Sequence, residues 1–265
     1  MKLHSVLFAI TICCVCTLFA QEQEADFTPV TLEPRFPGHC QGICCDTDFI
    51  YLSFTNTIVK VDYQGKLIAE TPIGSHAGDL CLVDDKIYIA QSLRGPKKGG
   101  YVVVMDNDLQ LLQTIPLSQT PSPDGFAFLA NCFYVGSDTF GRESHPLNHV
   151  HQYDRNFKFL KSHNLEIGDS KYGVQTMTTA QETLWMGFYS KTRIVQADHN
   201  LTVRTKLERP NCSEGICTVP PRQGVLNPRF LVANNISRKD NEGRTLYGTR
   251  ISLYEFSNGE FSKLK

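Results

Sequence analysis

The chain has 265 residues, with 26 Lys and Arg against 27 Asp and Glu and a formal net charge of −1 at pH 7. So even a balance, with no basic stripe able to neutralise many phosphates, excludes nucleic acid as the partner. Past the N-terminal segment no run of 18 apolar residues occurs, so no membrane span is expected.

Lys2, an apolar stretch from Val6 to Phe19, Ala20 and then the polar Gln21-Glu22-Gln23-Glu24 have the form of a cleaved secretory signal. Residues 1–20 are therefore expected to be removed, leaving 21–265 as one domain in a secreted or periplasmic location. Ile, Cys and Val precede Cys13, Cys14 and Cys16, where a lipoprotein signal wants a small residue, which favours a soluble product.

Five similar units follow. The first runs from Gly42 through Ile50-Tyr51-Leu52 to Ile58-Val59-Lys60-Val61-Asp62, and the second from Gly78 through Ile87-Tyr88-Ile89 to Val102-Val103-Val104-Met105-Asp106. The third runs from Gly125 through Phe133-Tyr134-Val135 to Val150-His151-Gln152-Tyr153-Asp154, and the fourth from Gly173 through Leu184-Trp185-Met186 to Ile194-Val195-Gln196-Ala197-Asp198. The fifth runs from Gly224 through Phe230-Leu231-Val232 to Ile251-Ser252-Leu253-Tyr254-Glu255. The acids are 44, 48, 44 and 57 residues apart, the length of one four-stranded blade per copy. The predicted fold is all-β, a five-bladed β-propeller of four-stranded antiparallel blades, expected as a monomer. Either Phe27 to Leu32 or Glu260 to Leu264 can complete the last blade, and the N-terminal segment is preferred because it leads into the first inner strand as outer strands do elsewhere.

The acids Asp62, Asp106, Asp154 and Asp198 precede polar turns and are read as acceptors for nearby amides, without a catalytic role. Strands that run up and down place these acids, with Asp46, Asp48, Asp84, Asp85 and Glu182, on one rim. The long loops of the other rim carry Arg94, Lys97, Lys98, Arg142, Lys191, Arg238, Lys239 and Arg244 against Glu143, Asp240 and Glu242, so that rim reads as basic and would draw an anionic ligand.

Seven cysteines remain after cleavage. Cys212 and Cys217 flank a four-residue loop, Ser213 to Ile216, and are expected to form a local disulfide in an oxidising compartment. Cys40, Cys44 and Cys45 read as small buried residues of an inner strand. Asn200, Asn211 and Asn235 each begin a glycosylation sequon, meaningful in a eukaryotic source.

Side chains at equivalent places in successive units, where the inner strands begin, are the candidate site. His39, His76, Asp79, Asp124, Tyr172, Gln175 and Gln223 would line a cup on the basic rim. His76, Asp79 and Asp124 could hold a divalent metal there, or the imidazoles could move protons. His149 and His151, two apart at the start of a strand, share a face and form a second imidazole pair.

This unit pattern resembles the small secreted propellers related to the gluconolactonase and NHL-repeat groups. Five units is similar to the architecture of certain glycosidases, tachylectin-type lectins and plant-type glutaminyl cyclases. For calcium lactonases the resemblance implies a Glu, Asn and Asp set at the channel, where this chain has His, Asp and Gln. Gln41-Gly42 resembles the Gln-Gly that opens a glutaminyl cyclase blade, while His76-Ala77-Gly78-Asp79 stands where that family implies a carboxylate-bearing motif.

Two functions follow as expectations. One is an exported lyase or hydrolase acting on an anionic, carbohydrate-like small ligand. His39 or His76 would be the base and Tyr172 or Tyr189 the acid, while Arg94, Arg142 or Lys191 would meet a substrate carboxylate and Gln175 and Gln223 would bind the ligand. Asp79 with Asp124 is the carboxylate pair available for glycoside hydrolysis, and elimination fits the His, Tyr and Arg inventory better. The other is a non-catalytic carbohydrate- or protein-binding propeller, for which the unequal loops suggest a single composite site.

Overall fold

The computed structural model describes residues 28–74, 76–93, 99–137, 144–221 and 224–264. The chain is a five-bladed β-propeller. An N-terminal strand, β1 (Val30–Phe36), precedes blade one: β2 (Cys40–Cys45), β3 (Phe49–Phe54), β4 (Thr57–Asp62) and β5 (Leu67–Pro72). Blade two is β6 (Ala77–Val83), β7 (Lys86–Leu93), β8 (Gly99–Met105) and β9 (Leu111–Leu117). Blade three is β10 (Pro123–Leu129), β11 (Cys132–Ser137), β13 (Asn148–Asp154) and β14 (Phe159–Leu165). Within it the two-residue β12 (Ser144–His145) crosses to pair with blade four. Blade four is β15 (Ser170–Ala180), β16 (Thr183–Tyr189), β17 (Ile194–Ala197) and β18 (Val203–Leu207). Blade five is β19 (Ile216–Thr218), β20 (Arg229–Lys239) and β21 (Thr245–Ser257), with β22 (Glu260–Lys263) following.

Burial explains why the repeat is written in apolar runs. The inner and middle strands of a blade are covered on both faces by neighbouring blades, so β2 is buried throughout and β3 nearly so, whereas the perimeter strand β5 only alternates half-buried with exposed residues. Middle-strand aromatics fill inter-blade cores: Tyr51, Tyr134, Trp185 and Phe230 are wholly buried, and Tyr88 of blade two is half-buried. Tight hairpins join several inner strands to middle ones. Their two central residues, Asp84-Asp85, Ala130-Asn131 and Gln181-Glu182, all have positive φ, which matches the right-handed strand twist.

The repeated aspartates are turn acceptors, as read. Asp62 Oδ1 accepts from the amides of Gln64 (3.0 Å) and Lys66 (2.8 Å), and Asp106, Asp154 and Asp198 repeat that pair of bonds at the second and fourth residues on. Asp106→Ala is expected to lower stability by about 1–2 kcal/mol in urea titration, from two part-exposed hydrogen bonds.

The fifth unit departs from the pattern. Glu255 closes no such turn; it receives Arg229 Nε (3.2 Å) and Asn227 Nδ2 (3.1 Å), and the turn of this type lies instead at Asp240, between β20 and β21. The outer position of the last blade is filled from both ends of the described chain. β1 pairs with β21 through Val30↔Ile251, Thr31↔Arg250 and Leu32↔Thr249, while β22 pairs lower on the same strand, Tyr254↔Lys263 through Ser257↔Glu260. Gly248 is required here because a Cβ would overlap the Leu32 carbonyl. The inner strand of this blade also comes earlier than the sequence suggested: it is Ile216–Thr218, preceded by Gly215, and not the segment leading to Gly224.

Candidate functional site

The site is made by irregularities at the starts of the inner strands. The ladder shifts register between Cys40 and Gly42, Ala77 and Leu80, Pro123 and Phe126, and Lys171 and Val174. Such bulges re-aim side chains out of the sheet, and here they do so at one rim, called the upper rim below. Gly42 is glycine because a Cβ would strike the carboxylate of Asp79, and one on Gly78 would press on the Asp124 backbone at 3.0 Å. Inner strands of adjacent blades therefore meet nearly backbone to backbone.

At this mouth blade two supplies His76, a non-glycine residue held at φ 54°, and blade three supplies Asp124. His76 Nε2 lies 3.8 Å from Asp124 Oδ1, with side-chain exposures of 24% and 8%. Blade four adds Gln175, whose Nε2 donates to Asp124 Oδ2 (3.3 Å) and to the Tyr172 carbonyl (2.9 Å). Tyr172, at φ 63°, meets Tyr189 edge to face at 6.0 Å. Left-handed backbone at two bulky residues of one mouth is strain of the kind that collects at functional sites. Blade one brings His39 and the buried Gln41, 3.4 Å apart through Nε2 atoms, and the His39 ring lies 5.8 Å from that of Tyr247.

A carboxylate not foreseen from sequence completes the ring. Glu214, just before β19, accepts from the Asn235 amide at 2.5 Å. Asn235 in turn bridges to blade one, its Oδ1 accepting from Cys40 N (2.8 Å) and its Nδ2 donating to Cys40 O (3.2 Å). Burial first, and then the Glu214 charge, push the Tyr189 phenol up to about 12. It stays protonated at neutral pH. The signal for Glu214 was its place two residues ahead of the apolar Ile216-Cys217, behind Gly215, hidden by reading Cys212 to Cys217 as a cystine loop.

Asp79 does not join this cup. It is wholly buried, and its Oδ2 accepts from the amides of Met177 (2.6 Å) and Phe126 (3.1 Å), while those of Leu80 and Ile43 also point to the carboxylate. These amides come from the inner strands of four blades, so Asp79 is the hub of the ring. Burial lifts its pKa well above the usual carboxylate range although all four amides oppose that. His76, Asp79 and Asp124 consequently make no three-ligand metal set, and among the described residues no three His, Cys, Asp or Glu side chains gather in such a geometry.

Among the described residues, several of the expected basic-rim cations have local partners. Lys191 pairs with Glu208 (3.5 Å), Arg244 with Asp240 (2.7 Å) and Glu242 (3.0 Å), and Arg238 donates to the Pro34 carbonyl (3.0 Å). Arg94, Arg142 and Gln223 lie outside the described residues; a cavity at the lower rim is lined by Thr47, Asp48 and Pro228. That cavity has a volume of about 1060 Å³, with Tyr63, Thr218, Leu226 and Arg229 on its wall and no histidine or cysteine among its described lining residues. Acid–base groups converge on the upper mouth, which is the better candidate. His149 and His151 stack at 6.3 Å on the outer part of blade three, and burial lowers His151 to about 4, with His149 adding to the effect.

Cys212 and Cys217 are free thiols, contrary to expectation. They face different cores: Cys212 packs with Trp185 and Phe230, Cys217 with Cys45 and Leu231. Of the sequon asparagines, Asn200 is exposed on the Asp198 turn, with its Nδ2 3.0 Å from His199 Nε2, whereas Asn211 and Asn235 are half-buried and hydrogen-bonded.

No protein-family model matches the chain, and no curated protein matches its sequence. Among solved structures, the glutaminyl cyclase of Myxococcus xanthus superposes with a TM-score of 0.59 at 10% identity, over 84% of this chain and 97% of that one. The nidogen/laminin complex gives 0.51 at 12% identity over 86% and 80%, and a streptogramin B lyase 0.50 at 12% over 91% and 98%. At these identities the likeness is one of fold, and what this chain shares with them is the propeller.

Proposed function

We propose that the upper mouth is an acid–base site and that the chain is a lyase- or hydrolase-like enzyme acting on a small, carbohydrate-like ligand. The reading rests on one observation: His76, held at left-handed φ, stands beside the nearly buried Asp124, which Gln175 fixes from the next blade. Imidazole suits proton abstraction at neutral pH, and an adjacent carboxylate stabilises the imidazolium that results. Tyr189, kept protonated by burial and Glu214, is the acid. His39 and Gln41 supply hydrogen bonds to hydroxyl groups of the ligand. Since Lys191 is engaged by Glu208, a carboxylate on the ligand would be met by Arg94 and Arg142. Export, through removal of residues 1–20, belongs to the same proposal and places the enzyme among extracellular or periplasmic glycans.

The test is a panel of neutral, uronate-bearing and amino-sugar oligosaccharides, followed by reducing-end release and by the ultraviolet absorbance of an unsaturated product. His76→Gln and Asp124→Asn are each expected to lower turnover at least ~100-fold while leaving the melting temperature within a few degrees. Full rates in both variants would remove the mouth from the mechanism. A ligand bound at the mouth without turnover would make the chain a docking module.

A further inference from the structure

The inner strand of blade one and that of blade five meet below the mouth through two thiols. Cys217 Sγ donates to Cys45 Sγ at 3.7 Å across 172 residues of sequence, and Cys45 Sγ donates onward to the Thr218 carbonyl at 3.5 Å. Both belong to one apolar core with Ile43 and Leu231. They also line the wall of an axial cavity of about 170 Å³, together with Cys44 and Cys81. From the structure we infer that Cys45 and Cys217 are an oxidisable pair that closes to a disulfide, riveting the first blade to the last at the axis of the ring.

The thiol–thiol hydrogen bond separates this pair from the other thiols, including Cys44 and Cys81 on the same cavity wall and Cys40 in the same core. Cys212 packs in the neighbouring core of Trp185, Ile194 and Phe230, and Cys44 in the core between blades one and two. Donation from the Cys217 thiol, with Tyr63 adding to it against the opposing effect of burial, holds Cys45 below the ordinary thiol value, so Cys45 is the nucleophile. A peroxide is small enough for the axial cavity. The Cys45 thiolate attacks one peroxide oxygen, breaking the O–O bond; a sulfenic acid forms and the other oxygen leaves as water. Cys217 sulfur then attacks Cys45 sulfur, the S–S bond forms, and the sulfenic oxygen departs as a second water. The two thiols lose two electrons and two protons, and the peroxide accepts both.

The experiment treats the reduced full chain with hydrogen peroxide, alkylates remaining thiols after unfolding and maps the peptides. A Cys45–Cys217 linked peptide and the loss of two alkylatable thiols are expected, along with a rise in melting temperature of roughly 5–15 °C from so long a closed loop. The link and the rise should persist in Cys44→Ser and Cys212→Ser and vanish in Cys45→Ser and Cys217→Ser. A Cys212–Cys217 link, or full alkylation of Cys45 and Cys217 after peroxide, would overturn the inference. The wild-type map alone decides this if a variant does not fold.

Discussion

Asp79→Ala is expected to cost roughly 3–5 kcal/mol, because it leaves the buried Met177 and Phe126 amides without an acceptor at the point where four blades converge. Asp79→Asn keeps an acceptor oxygen and mimics the neutral acid, so it should stay within about 1 kcal/mol of wild type at acid pH, where the wild-type carboxyl is protonated in both states. The pH dependence separates the two effects. With its folded pKa raised, Asp79 holds a proton in the native state over a range where the unfolded chain has released it. Its contribution is therefore fully present below the unfolded value of about 3.9 and is lost as pH rises toward the folded value. Urea titrations of wild type and Asp79→Asn should show the asparagine variant gaining relative stability with rising pH. A constant difference between them would mean that the hub carboxylate is already ionised.

Deleting residues through Phe36 is expected to abolish cooperative unfolding. Val30, Leu32 and Phe36 are buried on alternate positions of β1 against blades five and one, and Phe36 stacks on Phe54 at 4.1 Å. Three such side chains amount to about 5–8 kcal/mol of burial, which is comparable with the whole stability of a domain, about 5–15 kcal/mol. Removing β1 also exposes the upper edge of β21, which invites strand addition. A synthetic peptide covering Thr28 to Gly38 should restore the thermal transition in trans, and Leu32→Ala in the full chain should cost about 2–4 kcal/mol. Unchanged denaturation of the truncated chain would show that β22 alone closes the blade.

The blades were legible in sequence because each repeats the same burial problem: a glycine where inner strands touch, an aromatic in the inter-blade core, and an aspartate that binds the amides of its own turn. All three are local and recur. Blade five was misread where its inner strand shrank to Ile216–Thr218 and its fourth position was divided between two strands, since neither change leaves a periodic mark. His76, Asp124, Tyr172 and Gln175 stand at one mouth because strand direction decides the rim on which each inner strand begins. Asp79 was included with them because a bulge decides which side chains turn outward, and at blade two it sends His76 to the mouth and Asp79 into the axis. Glu214 and the Cys45–Cys217 contact depend on register between blades far apart in sequence, which no single unit records.

Because β21 carries β1 on its upper half and β22 on its lower, the final sheet draws on segments more than two hundred residues apart. During synthesis the first four blades can assemble in turn, yet the torus stays open until residues beyond Ser257 have left the ribosome. An unclosed arc of this kind leaves the flank of β21 unzipped and open to pairing with another chain until the last segment arrives.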